Sequence, residues 1–320
     1  MRPESTSVVF REDLSALASE FDAAKAATRF IGRRAAPIFT SGICDGQYPV
    51  MNRENFKKPA SGDRAKDGAY NRITGEFGSG TFACEEHGLE YPIDDRRRKR
   101  YASLFDAERA ATEILRYQLQ MLHEIRVYTL YSGGGWTNHN VSTAWSTTAS
   151  AVPLDDIAAG INAICDACGC LESELSLIIP RADLLEMIRT DQVNDKLKYT
   201  YPGVQPSMLT AAQVAAMLGI KQVLRATSAY DTKEEGVAES TSQIWAAGVM
   251  WLALLCNEND SLEIPSAART ILWTADAPEL PVIETYREEK VRADIVRSRD
   301  DTDEVLIGET DLFVYQITNT

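Results

Sequence analysis

Apolar residues recur at helical spacing in some stretches of this chain and at strand spacing in others. Leu14, Leu17, Ala18 and Phe21 fall at i, i+3, i+4 and i+7, one face of a helix. Gly32 and Pro37 then break the pattern. The longest stripe is Leu104, Ala107, Ala111, Ile114, Leu115, Gln118, Leu122 and Ile125. It lies in a span, Asp95 to Tyr131, without Gly or Pro, which predicts one long helix. Asp94 or Asp95 can cap its first N–H groups, and Gly133-Gly134-Gly135 stops it. At ~1.5 Å per residue such a helix is a rod of roughly 50 Å, a spine for an extended subunit.

Residues 153–269 read as α/β. A helix is predicted from Pro153 to Cys168 with Gly169 as its stop, then a buried strand Leu175–Ile179 closed by Pro180. Arg181–Arg189 is a short amphipathic helix, and Thr210 caps a helix Ala211–Leu218 that ends at Gly219. Ile220–Thr227 alternates like a strand, and Ile244–Leu255 is a second apolar segment. Residues 270–320 are β-rich. Candidate strands are Thr270–Thr274, Val282–Tyr286, Ala293–Val296, Glu304–Ile307 and Leu312–Ile317, with Asp276-Ala277-Pro278 and Arg299-Asp300-Asp301 as turns. Residues 46–92 differ: Gly62, Gly68, Gly75, Gly78, Gly80 and Gly88 punctuate a polar stretch with few apolar residues. That stretch cannot bury a core of its own. It reads as a long protruding loop with strands near Ala69–Ile73 and Thr81–Glu86.

Composition narrows the function classes. Hydrophobic residues make up 44%, enough for a large core, which excludes a mostly disordered chain. The net charge is −14, which argues against a general phosphate binder. Its distribution is uneven. Residues 153–269 hold eight Lys and Arg against sixteen Asp and Glu, more than half of the net charge. Cations gather instead in the loop, at Lys57, Lys58, Arg64, Lys66 and Arg72, and in the run Arg96-Arg97-Arg98-Lys99-Arg100. Five cations in the first turns of a helix oppose the macrodipole, so an anionic partner is expected, a neighbouring acidic protein surface before nucleic acid. The longest apolar run, Ile244 to Cys256, is short of the ~20 residues of a membrane helix, and no secretion signal is evident.

Candidate chemistry is sparse. There is no phosphate-loop motif, and Gly75-Glu76-Phe77-Gly78-Ser79-Gly80 has the wrong glycine order for a dinucleotide loop. Cys165, Cys168 and Cys170 resemble part of a zinc site, which needs four ligands; as helix-face residues they read better as core packing by free thiols. The three histidines, His87, His123 and His139, form no ligand or nucleophile signature with them. No catalytic residue, metal or cofactor is expected.

The order of arm, Gly/Lys loop, spine helix, α/β unit and returning β segment resembles the major capsid proteins of tailed phages, the Hong Kong 97-type fold. Local text supports the likeness: Ile157-Ala158-Ala159-Gly160-Ile161-Asn162-Ala163-Ile164, Leu177-Ile178-Ile179-Pro180, Asp195-Lys196-Leu197-Lys198-Tyr199-Thr200, Met217-Leu218-Gly219-Ile220, Gln243-Ile244-Trp245, and a tail from Tyr286-Arg287-Glu288 through Arg292-Ala293-Asp294 to Tyr315-Gln316-Ile317-Thr318-Asn319. It covers nearly the whole chain.

The resemblance implies an α+β capsid fold in five segments: an N-terminal arm (1–45), an extended E-loop (46–92), a P-domain with the spine helix (93–152), an A-domain (153–269) and P-domain return strands (270–320). It implies a structural, non-enzymatic role in a homo-oligomeric icosahedral shell of hexamers and pentamers. That shell would enclose double-stranded DNA without sequence-specific binding. The virion capsid would assemble in the host cytoplasm, with a separate scaffolding protein, a portal and a candidate decoration protein, and no membrane. The cationic residues would meet carboxylates of neighbouring subunits, with Glu284, Glu288, Glu289 and Asp294 as candidates. Lys57, Lys58 and Lys66 lie where some relatives form a Lys–Asn crosslink, but no partner Asn matches, so no covalent crosslink is expected. Two alternatives stay open: an encapsulin-like cellular compartment shell, and a cytosolic thiol or zinc enzyme built on Cys165, Cys168 and Cys170.

Overall fold

The computed structural model describes residues 29–51, 54–57, 59, 62–64, 66, 68–101, 107–200, 209–233, 236–278, 280–307 and 313–319. The amphipathic stretch Leu14 to Phe21 and Lys58 lie outside them. The helices in chain order are α1 (Gly32–Ala35), α2 (Glu54–Lys57), α3 (Asp95–Tyr101), α4 (Ala107–Ser132), α5 (Pro153–Cys168), α6 (Arg181–Arg189), α7 (Asp191–Thr200) and α8 (Ala211–Leu218). The strands are β1 (Ile38–Ser41), β2 (Asp45–Met51), β3 (Phe77–Ala83), β4 (Glu85–Asp94), β5 (Asn138–Asn140), β6 (Leu175–Pro180), β7 (Gln222–Ala226), β8 (Ala229–Asp231), β9 (Thr241–Gln243), β10 (Val249–Leu254), β11 (Ala268–Trp273), β12 (Val282–Glu288), β13 (Ala293–Leu306) and β14 (Val314–Thr318).

One five-stranded sheet has the order β5-β14-β10-β6-β7. Every residue of β6 is buried, as an unbroken Leu-Ser-Leu-Ile-Ile-Pro run predicts for a strand covered on both faces. On one face Ile157, Ile161 and Ile164 of α5 pack with Leu175, Leu177 and Leu252. On the other, Val127 and Tyr131 of α4 pack with Ile178, Trp251 and Trp245. Trp245 and Trp251 meet edge-on at 5.7 Å, and Tyr131 lies 6.0 Å from Trp251. Local signals place the helix ends. Gly169 follows α5 at φ 75°, a left-handed stop, and its N–H donates to the Cys165 carbonyl at 2.7 Å. Thr210 Oγ1 accepts from Gln213 N–H, and Gly219, also at φ 75°, ends α8.

The second sheet is organised by β13. It pairs antiparallel with β12 along its first half, with β11 along its second, and with β4 along its other edge. Strand β1 adds in parallel to β11. The expected turn Arg299-Asp300-Asp301 is therefore the middle of a single fourteen-residue strand. Arg299 Nη1 lies 3.2 Å from Asp301 and 2.5 Å from Asp276, and Arg126 lies 2.9 Å from Glu304. These arginines offset carboxylates that, read alone, look like loop residues.

Over the span expected as one helix, α3 and α4 are helical, and residues 102–106 between them lie outside the described ones. Two further expectations change. No strand forms over Ala69–Ile73; the partner of β3 is β2, registered Asp45 to Ala83 through Met51 to Phe77. Tyr48 and Phe82 are buried where this ribbon meets Ile271, which gives β2 an anchor that residues 69–73 lack. Finally, hydrogen bonding crosses the expected segment boundaries. Strand β5, from 93–152, and strand β14, from 270–320, both join the sheet of residues 153–269.

Candidate inter-subunit surface

The loop between β2 and β3 is closed at its base by Asn55. Its amide donates to the Glu76 carbonyl at 2.6 Å, and its carbonyl oxygen accepts Glu76 N–H at 2.9 Å. Lys57 Nζ donates to the Asp166 carbonyl at 2.5 Å, so this lysine binds the end of α5 in its own chain. Arg64, though exposed, also binds within its own loop: Nε donates to the Gly68 carbonyl at 2.5 Å, and the guanidinium sits 4.6 Å from the Tyr70 ring centroid. Lys66 and Arg72 are exposed. So are three large apolar side chains, Tyr70 and Ile73 at 74% each and Phe77 at 68%. Exposed apolar residues clustered on one protruding element are the usual mark of a contact surface.

The cations at the start of α3 have a different setting. Asp94 Oδ1 accepts Arg96 N–H at 2.7 Å, which caps the helix and settles which of the two aspartates does so. Arg98 bridges Glu108 at 2.6 Å and Asp294. The side chains of Arg97 and Arg100 lie outside the described residues; Arg96 and Lys99 are exposed. Asp294 also binds Arg287 at 3.0 Å, and Arg287 grips Asp95 through both Nη atoms at 2.7 and 2.9 Å. That hydrogen bonding holds the Asp95 carboxyl below its ordinary range. Glu284 meets Arg299 at 3.1 Å and Glu289 meets Arg287 at 3.5 Å, while Glu288 is half-buried on β12.

Three of the four acids expected to face neighbouring chains thus pair with arginines of their own chain. The partners that sequence reasoning missed are Arg287, Arg297, Arg299, Glu90 and Asp95. Their signal is the i, i+2 spacing of Arg297 and Arg299, which puts both on one face of a strand.

A buried polar cluster fixes the chain where residue 31 enters the fold. Glu124 is fully buried. It accepts Ile31 N–H at 3.2 Å, Gly32 N–H at 2.5 Å, Trp245 Nε1–H at 2.6 Å and the Ser228 hydroxyl at 3.1 Å. Burial raises its pKa, and those bonds oppose the rise. Next to it, burial holds the His123 imidazole down at about 4 and lifts Asp300 to about 6.

The thiols are free and, around α5, pack with apolar side chains. Cys165 Sγ and Cys170 Sγ are 3.8 Å apart and, with Cys168, pack against the first core. Burial raises the Cys165 and Cys170 pKa values, away from the thiolate that would react or bind metal. Among the described residues no three His, Cys, Asp or Glu side chains converge to hold a metal ion.

The architecture recurs in known proteins. A phage-related protein from Bordetella bronchiseptica RB50 superposes with a TM-score of 0.66, over 95% of this chain and 98% of that one, at 17% identity. The capsid structure of cyanophage P-SCSP1u matches with a TM-score of 0.62, over 95% of this chain and 90% of that one, at 9% identity. This is the phage capsid fold of the Hong Kong 97 type. In sequence, the chain is 24% identical over 286 residues to the major capsid protein of Burkholderia phage BcepMu, covering 87% of this chain and 88% of that relative. No protein-family model matches the chain.

Proposed function

We propose that this chain is the major capsid protein of a tailed phage or prophage. Its role is structural: copies associate in hexamers and pentamers into an icosahedral shell around double-stranded DNA. The observation that carries this reading is a capsid fold whose β2–β3 loop holds Tyr70, Ile73 and Phe77 out in solvent. Those side chains have an apolar surface to gain from a neighbouring subunit. The sequence relative named a major capsid protein supports the same reading.

In this reading residues 46–92 lie over the adjacent subunit. Residues 93–152 and 270–320, apart from β5 and β14, form the peripheral unit, and residues 153–269 with those two strands meet their copies around the symmetry axes. Many weak interfaces close together, so the shell is far tighter than any one contact. The acidic balance of residues 153–269 suits a lumen that holds DNA without sticking to it. Scaffolding, portal and decoration functions fall to separate proteins, and assembly takes place in the host cytoplasm before the virion forms.

Negative-stain imaging and sizing of the full-length protein test the proposal. Closed hollow particles are expected, with nuclease-protected DNA in virions. A small species at all concentrations overturns it. Particles that never contain DNA and instead enclose a cellular enzyme favour the compartment-shell alternative.

A further inference from the structure

A groove of about 910 Å³ lies between α6, the start of α8 and β7. Its floor is apolar, with Leu184, Leu185 and Ile188 on α6 and Val223 on β7. Its rim is cationic, with Arg29, Arg34, Arg189 and Arg225. All four are exposed, and among the described residues none of them forms an ion pair. Among the described residues no carboxylate lines the groove, although the chain as a whole carries a charge of −14. Four exposed arginines with no ion pair among the described residues, set around an apolar floor, suit an anionic, amphipathic partner.

We infer that the partner is the chain's own N-terminal segment, residues 12–24. That stretch holds Glu12, Asp13, Glu20 and Asp22 and no cation. On helical spacing Leu14, Leu17, Ala18 and Phe21 share one face, with Asp13 and Glu20 along one side of it and Asp22 along the other. An apolar stripe between acidic edges complements an apolar floor between basic rims. The connection also fits. Residues 25–28 alone separate the segment from Arg29, which is itself on the rim, and four residues reach at most about 14 Å. With so short a tether, the local concentration of the chain's own segment exceeds that of any second copy. A nucleic acid would satisfy the arginines but leave the leucine and isoleucine floor uncovered. This segment of the N-terminal arm is thereby assigned to its own subunit. The inference stands on this groove and holds whether or not the chain builds a shell.

The test uses the full-length protein with a benzophenone-bearing phenylalanine in place of Phe21. After irradiation, products are read by denaturing gel and peptide mass spectrometry. Crosslinks to peptides of α6, α8 or β7 at the mobility of a single chain are expected. The double variant Arg189→Glu, Arg225→Glu alters only exposed side chains and should lower the crosslink yield about fivefold or more, the loss of two exposed ion pairs. Adding Asp13→Arg and Glu20→Arg should restore it. Products at dimer mobility, crosslinks outside the groove, a yield indifferent to the charge reversal, or groove arginines that bind double-stranded DNA while the crosslink persists unchanged would each overturn the inference. Shell formation is scored separately by imaging, so failure here is distinguishable from failure of the capsid reading.

Discussion

Glu124 shows how one residue can fix the entry of a chain. Its two carboxylate oxygens satisfy four donors, two of them backbone N–H groups of Ile31 and Gly32. Glu124→Ala leaves all four donors buried and unpaired and should cost about 3–5 kcal/mol, read as a fall in denaturation midpoint. Glu124→Gln keeps one acceptor but turns an amide N–H₂ toward a donor, so a smaller loss of about 1–3 kcal/mol is expected. Gly32→Ala should mimic the larger effect, because a Cβ there would lie 2.8 Å from Glu124 Oε2. Asp300 gives a pH-dependent counterpart. It is 3% exposed and its Oδ1 has no hydrogen-bond partner among the described residues. Burial raises its pKa from 3.8 to about 6, so the folded state binds its proton more tightly than the unfolded state does. Its contribution is most favourable below pH 3.8 and is lost as pH rises through 6. Asp300→Asn should therefore stabilise by roughly 1–3 kcal/mol at pH 7.5, with the gain vanishing toward pH 4, as melting curves at both pH values would show. His123 runs the other way. With its pKa depressed from 6.5 to about 4, it favours folding above 6.5 and loses that contribution as pH falls toward 4. None of this was legible in the sequence: an isolated Glu, His or Asp carries no mark of burial until long-range packing encloses it.

Elements were legible where local chemistry decides them. Helices α5 and α8 end where their glycines demand, and β6 is the buried run its composition describes. The two ends of β13 were legible, at Ala293–Val296 and Glu304–Ile307, but its continuity was not, because Arg299, Asp300 and Asp301 look like a turn until Asp276, Glu284 and Arg126 are brought to them by other parts of the chain. The close fit of α5 to the sheet supplies a test. A Cβ on Gly160 would lie 2.7 Å from Leu252 Cδ1 and 2.8 Å from Tyr315 Cδ1. Gly160→Val should overpack this contact and destabilise the subunit by about 1–3 kcal/mol in urea unfolding. The α3–β13 contact supplies another. Arg98→Glu faces Asp294 and Glu108 within the same chain, so its first effect is to loosen α3 from the sheet. Arg98→Gln removes both pairs without adding a like charge and should cost less than Arg98→Glu, about 1 kcal/mol or less for so exposed a pair, read in urea unfolding. Adding Arg97→Glu to Arg98→Glu should lower particle yield further, read by sedimentation.

At the scale of the molecule, the order of segments pointed to the capsid fold, while the pairing of segments did not. The sequence shows that residues 46–92 lack a core; it does not show that β2, with Tyr48 as its anchor, is the partner of β3. Asp294, Glu284 and Glu289, expected to meet cations of neighbours, each pair with an arginine of their own chain. In the capsid reading proposed above, the exposed Tyr70 and Ile73 are then the contact residues of the loop to test first. Tyr70→Asp with Ile73→Asp should leave the melting temperature of the subunit within a degree or two, since both side chains are exposed, yet abolish closed particles in the electron microscope. Retention of normal particles would refute the loop's role. The place of β14 carries a consequence in time. It sits between β5 and β10, and its Val314 and Ile317 belong one to each of the two large cores. The ribosome makes this strand after every other strand of the sheet. A growing chain therefore holds an open slot in its middle layer, and only when that slot is filled does the subunit acquire both finished faces.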